Sequence, residues 1–303
     1  MESEDLFTIV GCDDADAERI ARPQTTYLKD AWRRLKKNKL AIGAMIVLIL
    51  IVLLVIFGPA ISGYDATKIS KDMNQDPSAT HWYGTDKLGR DLFARVCVGG
   101  RVSILIGVVG ALITTVFGSI YGAISAFAGG KVDAVMMRLM EIISSIPYLI
   151  VVIMLSLVIG DSGIGSILLA LCIVGWCQTA RLVRGQILQL AHSDYIIAAR
   201  TLGVSNWKII TRHMIPNTLS VIIVNLTFRI PNYIFSEAFL SYVGLGISTP
   251  NTSWGMLANA GKETLLTHPY QTLFPALMIA LTMLSFTLFG DGLRDALDPK
   301  MRR

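Results

Sequence analysis

The chain alternates long uncharged apolar blocks with short polar links that carry its cations. The first block, Leu40 to Ile61, reads LAIGAMIVLILIVLLVIFGPAI. At about 1.5 Å of rise per residue it is long enough to cross a hydrocarbon core roughly 30 Å thick. Further blocks run Val102 to Ala128, Ile142 to Ile159 interrupted by Pro147, Ile164 to Ala180, Thr218 to Val243, and Leu273 to Phe289. The pattern predicts an all-α membrane protein with six transmembrane helices and both termini on one side. A cleaved signal peptide fits the first block poorly, because the apolar run is long and a polar stretch, residues 1–39, precedes it. Gly118 and Gly122 stand four apart in the second block, a spacing that lets helix backbones approach closely.

Charge supplies the orientation. Residues 1–39 hold eight Lys and Arg, the 129–141 link holds Lys131 and Arg138, and the 181–216 link holds Arg181, Arg184, Arg200, Lys208 and Arg212. The tail adds Arg294, Lys300, Arg302 and Arg303. On the opposite side 160–163 has none and 246–271 has only Lys262. Cations collect on cytoplasmic loops, so both termini are expected in the cytoplasm. The 62–101 segment dissents with six cations, set against five aspartates.

Composition excludes several classes. Hydrophobic residues make up 53% and charged residues 16%, with a mean hydropathy of +0.56, too apolar for a disordered or collagen-like chain. Cys12, Cys97, Cys172 and Cys177 are too sparse for a disulfide scaffold. The net charge of +5 lies on membrane-flanking links, so the expected partner is a lipid bilayer and not nucleic acid. No HExxH, GxSxG or GxxxxGK[ST] string occurs, and His81, His192, His213 and His268 are scattered. No catalytic, metal or cofactor site is expected, and the chain has no P-loop with which to bind ATP.

Polar residues inside the apolar blocks ask for a reason, because lipid charges heavily for them. Arg229 and Glu237 lie eight residues apart, about 12 Å along a helix, too far to pair directly. Either they face a watery path or a neighbouring subunit, or Arg229 reaches an interface while Glu237 is hydrogen-bonded within the bundle. Glu141, Pro147, Arg229, Ser236 and Glu237 are the candidate path residues, and Arg229 is a candidate to attract a carboxylate on charge alone.

The 181–216 link predicts two short helices. Ser193 and Asp194 can cap one from Tyr195 to Leu202, and Ser205 a second from Asn206 to His213. Gly203 suits the reversal between them, and Ile215-Pro216 is expected to turn the chain into the next span. Spacing leaves open whether this is a rigid knob or a tether. The GTDKLGRD string is likewise open, as an elbow or as a docking surface. Gly84 and Gly89 permit tight turns, and Asp91 to Arg101 reads as a basic lead-in with Leu92, Phe93 and Val96 toward lipid.

Ile197-Ala198-Ala199, Gly203 and Ile215-Pro216 resemble the EAA signature of bacterial ABC importer permeases, with Ile197 in place of the usual glutamate. His81-Trp-Tyr-Gly-Thr-Asp-Lys-Leu-Gly-Arg-Asp91, Arg95, Gly100-Arg101 and Ser103 resemble the dipeptide/oligopeptide/nickel permease group. So do Ala180 to Gln186, Glu237 to Gly246, Ser253-Trp-Gly255 and Gly290 to Pro299. Within that group the likeness is nearest to the C-type permeases of oligopeptide importers. It implies a type I ABC importer permease-like bundle in the bacterial cytoplasmic membrane, working by alternating access. It implies as partners a B-type permease, two ABC ATPase subunits that bind the ATP and Mg, an extracytoplasmic peptide-binding protein and a peptide substrate. It also makes Ile197, Ala198, Ala199, Gly203, Ile215 and Pro216 the ATPase-coupling residues. The expected layout is a cytoplasmic tail 1–39, a first helix 40–61, and an extracytoplasmic loop 62–101. A five-helix core 102–290 containing the coupling segment 181–216 follows, then a tail 291–303. A dipeptide or nickel importer is the nearest alternative. A transporter or channel working alone is less favoured, since no internal repeat is visible.

Overall fold

Residues 27–159, 163–247 and 251–298 are described by the structure, a computed structural model. The tail 1–26 with Cys12, the link residues 160–162 and the terminal cations Lys300, Arg302 and Arg303 lie outside the described residues. Every described regular element is helical, with one isolated bridge between Thr85 and Asp91. Among the described residues five helices are long and apolar enough to cross a membrane, and six spans result if a bent pair counts as one.

A short helix, α1 (Tyr27–Leu35), turns Ala31 and Leu35 inward. Next comes α2 (Lys39–Ser62), begun by Asn38, whose Oδ1 accepts from the Ala41 N–H at 3.2 Å. Its buried residues, Ala41, Ala44, Ile51, Val55 and Gly58, fall on one narrow helical stripe. Ile46, Leu50, Leu53 and Phe57 remain exposed, as a lipid-facing surface requires. Pro59 has no N–H to offer the Val55 carbonyl one turn back. Arg101 fills that vacancy, its Nε donating to Val55 O at 3.0 Å and its Nη2 to Ile56 O at 2.7 Å.

The central element is α3 (Leu92–Ala128), which starts earlier than the expected Val102. Asp91 Oδ2 caps it by accepting from the Ala94 N–H at 2.8 Å. Leu92, Phe93 and Val96 are buried against protein rather than turned toward lipid. The sequence reading failed there because Trp82 and Tyr83 of the preceding loop meet Phe93, while Leu92 and Val96 pack among Ile51, Val55, Trp254 and Leu257 from distant segments. α4 (Gly130–Ser144) and α5 (Tyr148–Ile159) replace the expected single third span. They meet at 73° around Pro147, which cannot continue the helix before it. α6 (Ile164–Ala191) runs well past Ala180, so the first part of the expected link is helix. Gly118 and Gly122 form its seat on α3: a Cβ would stand 2.6 Å from Trp176 O at the first and 2.3 Å from Ala180 O at the second.

α7 (Asp194–Thr201) is followed by α8 (Asn206–Lys208), a π-helical turn (Ile209–Met214) and α9 (Ile215–Val243). The last three form one element from Asn206 to Val243, so Ile215-Pro216 does not turn the chain. In the wide π turn the Ile215 N–H donates to Ile210 O, five residues back, and this change of hydrogen-bonding pattern directly precedes Pro216, which has no N–H to give. α10 (Trp254–Lys262) and α11 (Tyr270–Leu297) complete the chain, and α11 packs on α1, α2 and α9.

Residues 63–91 make a tight cap over one end of the bundle. Gly84 and Gly89 have φ of +75° and +70°, and a Cβ at either would strike backbone, Gln75 O at 2.3 Å or Ser70 O at 2.4 Å. Asp86 Oδ1 accepts from Leu88 N–H (2.8 Å) and Arg90 N–H (3.0 Å), while Oδ2 takes Arg90 Nε (2.8 Å) and the buried Arg95 guanidinium. Tyr270 Oη donates to Gln75 O at 2.8 Å and Gln271 Nε2 to Thr85 O at 3.0 Å, fastening the cap to the start of α11. The glycines and Asp86 therefore build the elbow that the sequence allowed.

Candidate functional site: a cationic cavity and an outward helix

The bend between α4 and α5 opens a cavity of about 630 Å³ against α6 and α9. Helical spacing supplies its walls: Val174, Gln178 and Arg181 share one face of α6, and Arg229, Asn232 and Ser236 one face of α9. Pro147, Arg229 and Ser236, three of the five expected path residues, line it. Glu141 lies off the cavity, exposed and paired with Arg138 at 3.1 Å. Glu237 also lies off it, fully buried. Arg229 does not reach an interface. It is 9% exposed, and its guanidinium donates to Gly175 O (2.9 Å), Gln178 Oε1 (3.2 Å) and Asn225 Oδ1 (3.3 Å).

Glu237 sits instead at the centre of a buried knot. Its Oε2 accepts from Ser103 Oγ at 2.7 Å and its Oε1 from Ser241 Oγ at 2.8 Å. Each serine oxygen accepts in turn, Ser103 from the Trp254 N–H at 3.2 Å and Ser241 from the Ile247 N–H at 3.1 Å. Trp254 Nε1 donates to Val96 O at 2.9 Å, so the indole joins α10 to α3. The Ser103, Glu237 and Trp254 strings are far apart in sequence yet meet at one point. Ser103 and Trp254 were not read as site residues; their presence in the same set of strings was the available signal.

The other face of interest is α7. Ile196 is its one buried residue, set among Val183, Ile187, Ile209 and Met214. Ile197 (51% exposed) and Leu202 (82%) point outward, with Ala198 between them, around a shallow hollow of about 500 Å³. Gly203 has φ +74° and open space where a Cβ would stand. Neither serine caps as expected: Ser193 Oγ turns back to donate to Leu190 O at 2.6 Å, and Ser205 makes no cap bond. The helix holds its place by packing on Ile196 instead. Ile215 and Pro216, expected at a turn beside this face, lie within the continuous helix.

With this geometry in view, a family model described as the binding-protein-dependent transport system inner membrane component matches residues 93–303. The chain belongs to that family. The N-terminal TM domain of oligopeptide transport permease C matches residues 26–79. The dipeptide transport system permease protein DppC of Bacillus subtilis is 46% identical over 95% of this chain and 90% of the relative. The oligopeptide transport system permease protein OppC of the same organism is 44% identical over 98% of each, and that of Escherichia coli K12 is 44% identical over 94% of this chain and 95% of the relative. A solved structure, the inward-facing MetNI methionine ABC transporter, shares the fold with a TM-score of 0.56 at 17% identity, covering 67% of this chain and 96% of that one. The permease is thus an ABC importer subunit of the OppC/DppC type with a type I fold, embedded in the membrane by several passes. It is a transport subunit and not an enzyme; in such transporters ATP hydrolysis belongs to separate ATPase subunits.

Proposed function

We propose that this permease forms half of the translocation path of an oligopeptide importer in the bacterial cytoplasmic membrane. A B-type permease supplies the other half, two ABC ATPases bind ATP and Mg, and an extracytoplasmic peptide-binding protein delivers the substrate. Both termini and α7 lie in the cytoplasm on this reading, and the cap formed by residues 63–91 lies outside. The observation that carries it is the outward apolar face of α7, where Ile197 and Leu202 stay exposed among the described residues. That face is suited to the groove of an ATPase. The cavity walled by Pro147, Arg229 and Ser236 is then this subunit's share of the path. ATP acts by favouring one of two packed states, and only its differential affinity for those states does work.

The dipeptide reading has an observation of its own, since the dipeptide relative is 46% identical and the oligopeptide relative 44%. The test is purification from native membranes in mild detergent, followed by uptake in proteoliposomes. Two P-loop ATPases and a second permease should copurify, cysteines placed at Ile197 or Leu202 should cross-link to an ATPase, and uptake should require ATP. Peptide transport by this chain alone would sink the proposal, as would a face at α7 that captures no ATPase. Competition between di- and pentapeptides separates the two substrate readings.

A further inference from the structure

We propose that Arg229, together with Arg181 on the same cavity wall, forms the site that holds the C-terminal carboxylate of a peptide in transit. The inference rests on the cavity being the path.

Among the described residues the other well-packed arginines have acids. Arg95 and Arg90 share Asp86, and Arg184 grips Asp133 through Nε at 2.7 Å. Arg229 is more buried than Arg184, yet its three acceptors, Gly175 O, Gln178 Oε1 and Asn225 Oδ1, are all neutral. A guanidinium carries five N–H donors in a rigid fork, and its further side-chain partner, the Tyr233 hydroxyl, is neutral as well, so nothing around the fork cancels its charge. No Asp or Glu lines the cavity, while Arg181 adds a second cation with no carboxylate partner among the described residues.

Arg229 also lies well within its span, far from either end of the Asn206–Val243 element. An ionised side chain at that depth is expensive and faces a watery cavity or an opposite charge. The neutral acceptors fix the fork's position without cancelling its charge. What is missing is an anion that fits a planar fork, and a carboxylate is the matching group. Peptides of differing sequence have their main-chain carboxylate in common, so a site of this kind grips without reading side chains.

The experiment uses the assembled transporter in proteoliposomes with tetraalanine and its C-terminal amide, each saturating the binding protein so that delivery does not discriminate. The wild type should import the free acid about tenfold faster, as befits one charge-assisted hydrogen-bonded pair. Arg229→Gln should bring free-acid uptake down to the wild-type amide rate, and Arg229→Lys, which keeps the charge without the fork, should retain part of the preference. Copurification of all subunits establishes that each variant assembles. Uptake of both peptides at equal rates by the wild type overturns the site while leaving peptide transport standing. An undiminished preference in Arg229→Gln does the same. Equal loss of both peptides with dissociation of the subunits means that Arg229 pairs with a carboxylate of the neighbouring permease, which also overturns it. If neither peptide enters wild-type vesicles, the peptide reading fails and this inference with it.

Discussion

Glu237 was expected on the path and lies in a knot, and the two roles make different predictions. In Glu237→Ala the hydroxyls of Ser103 and Ser241, now bonded at 2.7 and 2.8 Å, lose their acceptor inside the protein, and Ser253 loses its bond to the same carboxylate. Each orphaned donor costs about 1–3 kcal/mol. Both oxygens keep their own incoming N–H bonds, from Trp254 and Ile247, so only the donor half of each serine is stranded. The sum is about 3 kcal/mol, roughly a hundredfold in the local opening equilibrium. Glu237→Gln keeps one carbonyl acceptor and should lose about half as much. The assay is limited proteolysis of the detergent-solubilised complex, read in the segment from Gly244 to Lys262, beside thermal inactivation of uptake. Accelerated cleavage there, ordered Ala, then Gln, then wild type, is the expected result. If Glu237→Ala were as resistant as wild type while transport was lost, the residue would belong to the path and the knot would be incidental.

Three further tests follow from other positions. Gly203→Val places a β-branched residue at φ +74°, a backbone cost of about 1–2 kcal/mol with no steric clash; it should uncouple ATP hydrolysis from uptake while insertion stays intact, and Gly203→Asn should be milder. Gly122→Val should abolish the monodisperse peak in detergent gel filtration, because its Cβ would meet Ala180 O at 2.3 Å, whereas Gly165→Ala, with open space around it, should run as wild type. For Asp86, burial pushes the carboxyl upward but is outweighed by the N–H groups of Arg90 and Leu88 and the guanidinium charges of Arg95 and Arg90, leaving it below its ordinary value of 3.8. A depressed acid stabilises the fold above that ordinary value and ceases to do so as pH falls through the lower one. Protease resistance of the cap should therefore hold down to about pH 4 and fall below it, and Asp86→Asn should remove the acid step.

The five long membrane helices were legible because a helix that crosses lipid must be a long, mostly apolar run. The Gly203 elbow was legible for a similar reason, since a left-handed residue leaves a local signature. Misreadings arose where a residue's partners are distant in the chain. Leu92 and Val96 look lipid-facing until α2, α10 and α11 pack over them, and of the two places the sequence left open for Glu237 the hydrogen-bonded one depends on partners from two other segments. The π turn ahead of Pro216 was illegible because proline forbids one hydrogen-bonding pattern without naming its replacement.

The two ends of the bundle are held in different ways, and this bears on how motion would reach the cavity. At the cap end, Trp254 Nε1 joins α10 to α3, Tyr270 Oη and Gln271 Nε2 join α11 to the cap, and the Glu237 knot adds α9. Such a cross-linked end resists shear, because moving one helix breaks bonds to several others. At the other end α7 is seated through Ile196 and ends at the Gly203 elbow, which has open space around it. The helices flanking α7 continue unbroken to the cavity: α6 carries Arg181 and Gln178, and the Asn206–Val243 element carries Arg229 and Ser236. A displacement of α7 is therefore expected to reach both cavity walls along these helices before it reaches the cap end. The bend at Pro147 leaves α4 and α5 free to follow a different course. Tightening the elbow with Gly203→Val should thus alter the cavity walls before it alters the cap, and spin labels at Asn232 and Lys87 would report the order.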